Sequence, residues 1–293
     1  MEFKKISAIY FSPVSSTRFV TEFIVRKLAK QLHHLEMDTF DFTLPENQNT
    51  SFHFQKDHLV VFGMPTYAGR IPNKILPLVK QNFFGEGTPV IPVVTFGNRN
   101  YDSSLAELAN VLEENGFLPF AAGAFSCRHV FSNKIAAGRP DSKDQEEMCL
   151  FAKKAARILL ENEVEKLQRV VIQGGAAVAP YYTPLGIDGQ PAKFLKAKPV
   201  TNPNLCNQCG KCAKACPMGA IDFTDCTVVN GTCIKCQACI RQCPVKAKYF
   251  DDPAFLSHVA MLESHYTARK ENEIFLSPPE AYDSHSVENA KVS

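Results

Sequence analysis

Ile6 to Phe11 form a short apolar run of strand formers, broken by the stretch Ser12-Pro13-Val14-Ser15-Ser16-Thr17. Beyond it Phe19, Val20, Phe23, Ile24, Leu28 and Leu32 recur at helical spacing, with lysines and arginines on the opposite face. The pattern predicts strand, polar loop and helix. It continues with strands over 35–42, 58–64, 89–96 and 117–125 and with helices over 72–81, 103–115 and 142–167. Five strands alternating with helices predict an α/β fold with a doubly wound, five-stranded parallel sheet. Right-handed crossovers bring the loops after the first, third and fourth strands to the carboxyl edge, where ligands of such sheets bind.

Each of these loops carries ligand-binding chemistry. In the first, Ser12, Ser15, Ser16 and Thr17 stand at a helix start, where hydroxyls and unpaired amides favour an anion such as phosphate. A helix cap alone accounts for one hydroxyl residue, not four. The second holds Pro65, Thr66, Tyr67, Ala68, Gly69 and Arg70, and the third Thr95, Phe96, Gly97, Asn98, Arg99, Asn100 and Tyr101. Aromatic, glycine and hydrogen-bonding residues together suit the faces and edges of a planar heterocycle. No dinucleotide fingerprint competes, because Gly85-Glu86-Gly87 precedes a strand instead of opening a helix.

The carboxyl-terminal part repeats one motif with an offset of 27 residues. Cys206-x-x-Cys209-x-x-Cys212-x-x-x-Cys216-Pro217 is followed by Cys233-x-x-Cys236-x-x-Cys239-x-x-x-Cys243-Pro244. Three thiolates on one tight loop hold three corners of a cubane cluster, and in two-cluster ferredoxins the fourth comes from the other loop. The expected ligand sets are Cys206, Cys209, Cys212 and Cys243 for one 4Fe-4S cluster, and Cys233, Cys236, Cys239 and Cys216 for the second. Zinc is the competing reading of Cys-x-x-Cys pairs, but it needs two pairs per site and gives no reason for the third and fourth cysteines of each motif. Cys127, Cys149 and Cys226 lie outside the repeat and are expected to be buried, inert thiols.

Composition adds bounds. With 293 residues, 45% hydrophobic and 21% charged, the chain has room for a large and a small domain, and no apolar run reaches membrane-spanning length. The amino terminus has no signal-peptide pattern, and eight cluster cysteines require reducing conditions, so a cytoplasmic, anaerobic setting is expected. The net charge of +2 is uneven: from Lys193 to Phe250 nine basic residues face two acidic ones, a local +7. Such a surface either balances cluster charge or steers an acidic redox partner. Nucleic acid is disfavoured because no aromatic platform is interleaved with the basic residues.

Residues 1 to about 160 resemble flavodoxin, and the whole chain resembles the flavodoxin-ferredoxin fusion proteins of anaerobic bacteria. Beyond the cysteine loops, the likeness is carried by Tyr10-Phe11-Ser12-Pro13, Tyr67 to Pro72, Phe96 to Asp102, Ala136-Ala137-Gly138-Arg139-Pro140 and Tyr181-Tyr182-Thr183-Pro184-Leu185-Gly186. The resemblance implies FMN, with its phosphate at Ser12 to Thr17 and its ring between the Tyr67 and Tyr101 loops, one of these tyrosines stacking on it. One departure stands out: flavodoxin-like loops usually read Ser-x-Thr-Gly-x-Thr, and here Val14 replaces a hydroxyl residue and Ser15 the glycine. The expected organisation is a flavodoxin-like domain over 1–167, a packed linker over 168–200, a two-cluster ferredoxin domain over 201–250 and a carboxyl-terminal helix, from about 253 to 269, with a disordered tail over 251–293.

The expected function is electron transfer between two 4Fe-4S clusters, FMN and an outside redox protein. Two other readings stay open: a self-contained FMN-dependent reductase of a conjugated acceptor such as a quinone, with Arg70, Arg99 and Arg128 as anion-recognising residues, and a cluster-only ferredoxin with a flavin-free docking domain. Catalytic residues, oligomeric state, and the identities of donor and acceptor have no signal in the sequence.

Overall fold

The computed structural model describes residues 3–172 and 177–277. In chain order its elements are β1 (Lys5–Tyr10), α1 (Ser16–Gln31), β2 (Glu36–Asp41), β3 (Phe52–Phe54), β4 (His58–Pro65), α2 (Leu76–Asn82), β5 (Phe83–Gly85), β6 (Thr88–Phe96), α3 (Ser104–Glu114), β7 (Phe117–Pro119), β8 (Ala121–Ser126) and α4 (Ser142–Glu161). There follow β9 (Val200–Thr201), α5 (Lys211–Lys214), α6 (Ala238–Arg241), β10 (Lys248–Tyr249), α7 (Pro253–His265) and β11 (Glu273–Leu276).

The main sheet runs β11-β8-β6-β4-β1-β2. Its five parallel strands, read from β2, follow the doubly wound order 2-1-3-4-5, whose ligand site lies at the carboxyl end of the first strand. β6 is buried along its whole length, as expected of a central strand covered on both faces. On one face α1 and α4 bring Val20, Ile24, Leu28, Phe151 and Ala155 against Ile6, Val61 and Val93. On the other, Leu105, Leu108 and Leu112 of α3 and Val79 of α2 meet Val60, Phe62 and Val94.

Three sequence expectations need correction. The strand expected over 117–125 is two pieces, β7 and β8, which pair with opposite ends of β6. Pro119, which has no N–H to donate, stands at the break. The helix expected to reach Leu167 stops at Glu161, because Asn162 leaves the helical region and its Nδ2 donates to the Ile158 carbonyl at 2.8 Å. The carboxyl-terminal helix ends at His265, and residues 273–276 form β11, an antiparallel strand on β8. It covers an edge of Ala and Gly that would otherwise present unpaired backbone groups. The tail from 278 onward lies outside the described residues.

The segment over 168–200 packs against the sheet edge where it is described. Tyr182 N–H donates to the Ala68 carbonyl at 2.8 Å, Tyr181 Oη to the Ile71 carbonyl at 2.8 Å, and Ala179 N–H to Ser103 Oγ at 3.0 Å. The Arg99 guanidinium lies 4.0 Å above the Tyr182 ring. No helix among the described residues is long and apolar enough to cross a membrane.

Candidate cofactor sites

The two cysteine motifs fold alike, residue for residue. Positions 27 apart share the left-handed backbone conformation: Gln208 (φ 53°) and Lys235 (φ 60°), Gly210 (φ 73°) and Gln237 (φ 65°), Gly219 (φ 56°) and Lys246 (φ 53°). Alternation of right- and left-handed residues turns successive amides into one concavity, the kind that surrounds Fe–S centres. Amides already aim at sulfur: Ala220 N–H lies 3.3 Å from Cys216 Sγ, and its repeat equivalent Ala247 N–H lies 3.1 Å from Cys243 Sγ.

Each loop contributes its last cysteine to the other loop's cavity. Cys233, Cys236 and Cys239 line one cavity with Cys216, while Cys206, Cys209 and Cys212 line another with Cys243. Burial pushes the Cys239 thiol up to about 12 and the Cys236 thiol higher still, so thiolates there require a cation among them. At least four sulfurs around each small cavity, with amides turned toward Cys216 and Cys243, fit a cubane cluster better than a lone zinc ion. At the first cavity Cys209 is exposed, as are Lys211 and Lys246 of the two loops, whereas Cys236 of the second is buried.

At the carboxyl edge of the sheet two cavities adjoin, sharing Thr66, Tyr67, Gly97, His129 and Val130. The smaller, about 70 Å³, is walled by Ser12, Ser16 and Thr17, by Pro65, Thr95 and Phe96, and by Arg128. Thr17 and Thr95 hydroxyls meet at 2.7 Å, so the start of α1 is fastened to the end of β6. The first amides of α1 lie at this end, where a helix start favours an anion; the Arg18 N–H among them donates to Ser12 Oγ at 2.9 Å. The larger cavity, about 200 Å³, takes in Ala68, Gly69 and Asn100 with aromatic and apolar groups. Hydroxyls, amides and Arg128 at one end and a largely apolar chamber at the other fit a phosphate-bearing planar cofactor such as FMN.

Four expected site residues lie elsewhere. Asn98 is buried, and its Nδ2 donates to the Tyr266 and Ala268 carbonyls at 2.7 and 2.8 Å. Tyr101 packs on Phe96 and its hydroxyl donates to Glu273 Oε2 at 2.7 Å, which leaves Tyr67 as the loop tyrosine at the cavity. Arg70 is paired with buried Glu107, whose Oε2 also accepts from Ile71 N–H at 2.9 Å. Ser15 is outside the lining but shapes the loop: it takes the left-handed conformation, φ 68°, at the position where flavodoxin-like loops carry glycine. A non-glycine residue there costs on the order of 1 kcal/mol. Ser15→Gly is therefore expected to raise the unfolding free energy of this domain, measured in urea, by up to about 1 kcal/mol, and a lower urea midpoint at unchanged slope would refute the strain.

Several lining residues escaped the sequence reading. His129 follows β8, so the carboxyl-edge rule applied to the fifth strand would have found it. Its Nδ1 accepts from Phe131 N–H at 3.1 Å, which places the proton on Nε2, and burial, with His258 and Arg241 nearby, lowers its pKa to about 4. Gly97 makes room for it, since a Cβ there would lie 2.3 Å from the ring. Tyr182, Phe194 and His258 come from the linker and α7, and only the fold brings them here. Ile234 and Lys235, between two cysteines of the second motif, line both the larger cavity and the Cys216 cavity. Burial raises the Tyr67 phenol well above its usual value, with Cys236 and Cys233 adding to the effect.

Comparisons with known proteins bear on the cysteine motifs. Residues 198–221 and 230–246 match two family models, each described as a 4Fe-4S binding domain. The chain joins a flavodoxin-like domain to a two-cluster ferredoxin-type segment. In this fusion the flavodoxin likeness rests on strand order. Solved structures that align with the amino-terminal part do so at low TM-scores. A flavodoxin from the domain Archaea aligns at 15% identity over 52% of this chain and 96% of that one, TM-score 0.37. A Streptococcus pneumonia TIGR4 flavodoxin aligns at 14% identity over 52% and 97%, TM-score 0.36. Rubredoxin oxygen:oxidoreductase from the anaerobe Desulfovibrio gigas aligns at 20% identity over 54% of this chain and 36% of that one, TM-score 0.32. No curated protein matches the fusion in sequence.

Proposed function

We propose that the fusion is an electron-transfer iron-sulfur flavoprotein that exchanges single electrons with an outside redox protein. FMN, when bound, supplies both one- and two-electron chemistry, and each 4Fe-4S centre one-electron chemistry. Ser12, Ser16, Thr17 and Arg128 hold the phosphate, and Tyr67, Ala68, Gly69, Gly97 and Asn100 surround the ring. The observation that carries the reading is the shared wall: Ile234 and Lys235 face the ring cavity on one side and the cavity of Cys216, Cys233, Cys236 and Cys239 on the other. A protein that kept flavin and clusters for separate tasks has no use for a wall one loop thick.

The exposure of Cys209, with Lys211, Lys214 and Lys246 also exposed on the two loops, supports an acidic protein as partner, attracted at long range by the local positive charge. The reductase reading retains Arg99 and Arg128 near the cavities but loses Arg70 to Glu107. An anaerobic visible spectrum separates the alternatives. Flavin bands on cluster absorption, unchanged by NADH or NADPH alone and bleached by a reduced ferredoxin-type donor, are expected. Prompt bleaching by the nucleotide favours a self-contained reductase, and cluster bands with no FMN released by acid favour a cluster-only ferredoxin.

A further inference from the structure

Cys226 belongs to neither four-cysteine motif, yet it lines the same cavity as Cys206, Cys209, Cys212 and Cys243. It is 2% exposed and packs with Cys212. Its backbone is held from both ligand loops. Cys226 N–H donates to Oε1 of Gln208, the residue before Cys209, at 2.8 Å, and its carbonyl accepts from Nζ of Lys248, five residues after Cys243, at 2.5 Å. The turn that delivers it is tied down too: Asp225 Oδ1 accepts from Thr227 N–H at 2.9 Å and from Gln208 Nε2 at 3.3 Å. Lys248 is itself 3% exposed, a costly burial for a residue that only fills space. The repeat equivalent of Cys226 is Pro253, and the second cavity has no fifth cysteine among the described residues.

We propose that Cys226 is a reserve ligand of the first cluster. When one of the four thiolates is lost, Cys212 foremost because Cys226 packs on it, the Cys226 sulfur bonds to the vacated iron and its thiol proton passes to solvent. The bond formed replaces the bond broken, and no electron is gained or lost. The proposal rests on the 4Fe-4S reading of this cavity.

The test is iron and acid-labile sulfide content, with the electron paramagnetic resonance spectrum of the reduced state, on full-length protein reconstituted anaerobically. Wild type, Cys226→Ala and Cys212→Ala are each expected to hold about eight iron atoms, and Cys212→Ala/Cys226→Ala about four. A drop to about four in Cys212→Ala alone overturns the proposal, and so does a drop in Cys226→Ala alone, which would make Cys226 a standing ligand. If Cys212→Ala does not fold, Cys209→Ala with and without Cys226→Ala carries the same comparison. Wild type that binds zinc and no iron refutes the cluster reading instead, independently of Cys226.

Discussion

Cys216→Ala is expected to remove the second cluster while leaving the first, although Cys216 belongs to the first motif. Its sulfur shares a cavity with Cys233, Cys236 and Cys239, and Ala220 N–H already points at it from 3.3 Å. The variant leaves three thiols there, two of them with pKa values raised far by burial, so the site loses both a ligand and its fit to a multiply charged cluster. Cys226 cannot compensate, because it lies in the other cavity. Iron should fall from about eight atoms per chain to about four, with the signal of the first cluster retained. Flavin reduction by an outside protein donor should be lost with it, since the Ile234-Lys235 wall would then face an empty site. Loss of the first cluster with survival of the second would refute the crossed arrangement.

That arrangement was legible in the sequence because cysteine spacing specifies ligation chemistry directly, wherever the loop sits. β1, β4 and β6 were legible for a related reason, since strands covered on both faces must be apolar throughout. β11 was not, because Glu-Ile-Phe-Leu has no strand signal apart from the open edge of β8, some 150 residues earlier. The third loop shows the limit most clearly. Its residue types mark a ligand-binding loop, but spacing does not say which way a side chain turns, and Asn98 and Tyr101 turn toward the carboxyl-terminal segment while Gly97 and Asn100 face the cavity. His258, Phe194 and Lys235 reach the cavity from remote parts of the chain, so no local pattern announces them.

The same segment depends on a buried ion pair, and Asp144→Ala is expected to destabilise the flavodoxin-like domain by about 3–5 kcal/mol. Asp144 and Arg139 side chains are 1% and 4% exposed, with Arg139 Nε and Nη2 donating to the two carboxylate oxygens at 3.0 and 2.5 Å. Arg139 Nη1 also donates to the Lys270 carbonyl at 2.6 Å, while Arg269 Nη2 and Asn272 Nδ2 donate to Asp144 at 2.8 and 2.9 Å. Removing the carboxylate leaves a guanidinium buried without its counter-charge and unfastens the stretch that leads into β11. Asp144→Ala/Arg139→Met should recover part of the loss, because the orphaned charge is gone as well. Burial by itself would raise the Asp144 pKa, but Arg139 and the surrounding donors outweigh it and hold the pKa below the usual value. A carboxyl with a depressed folded-state pKa stabilises the fold above its unfolded value, about 4, and that contribution disappears as pH falls through the folded value. Acid unfolding of the wild type should accordingly steepen below about pH 4, and the Asp144→Ala variant should lack that component. Denaturant unfolding at neutral pH decides the matter: a variant within about 1 kcal/mol of wild type would mean that the pair does not hold the carboxyl-terminal strand in place.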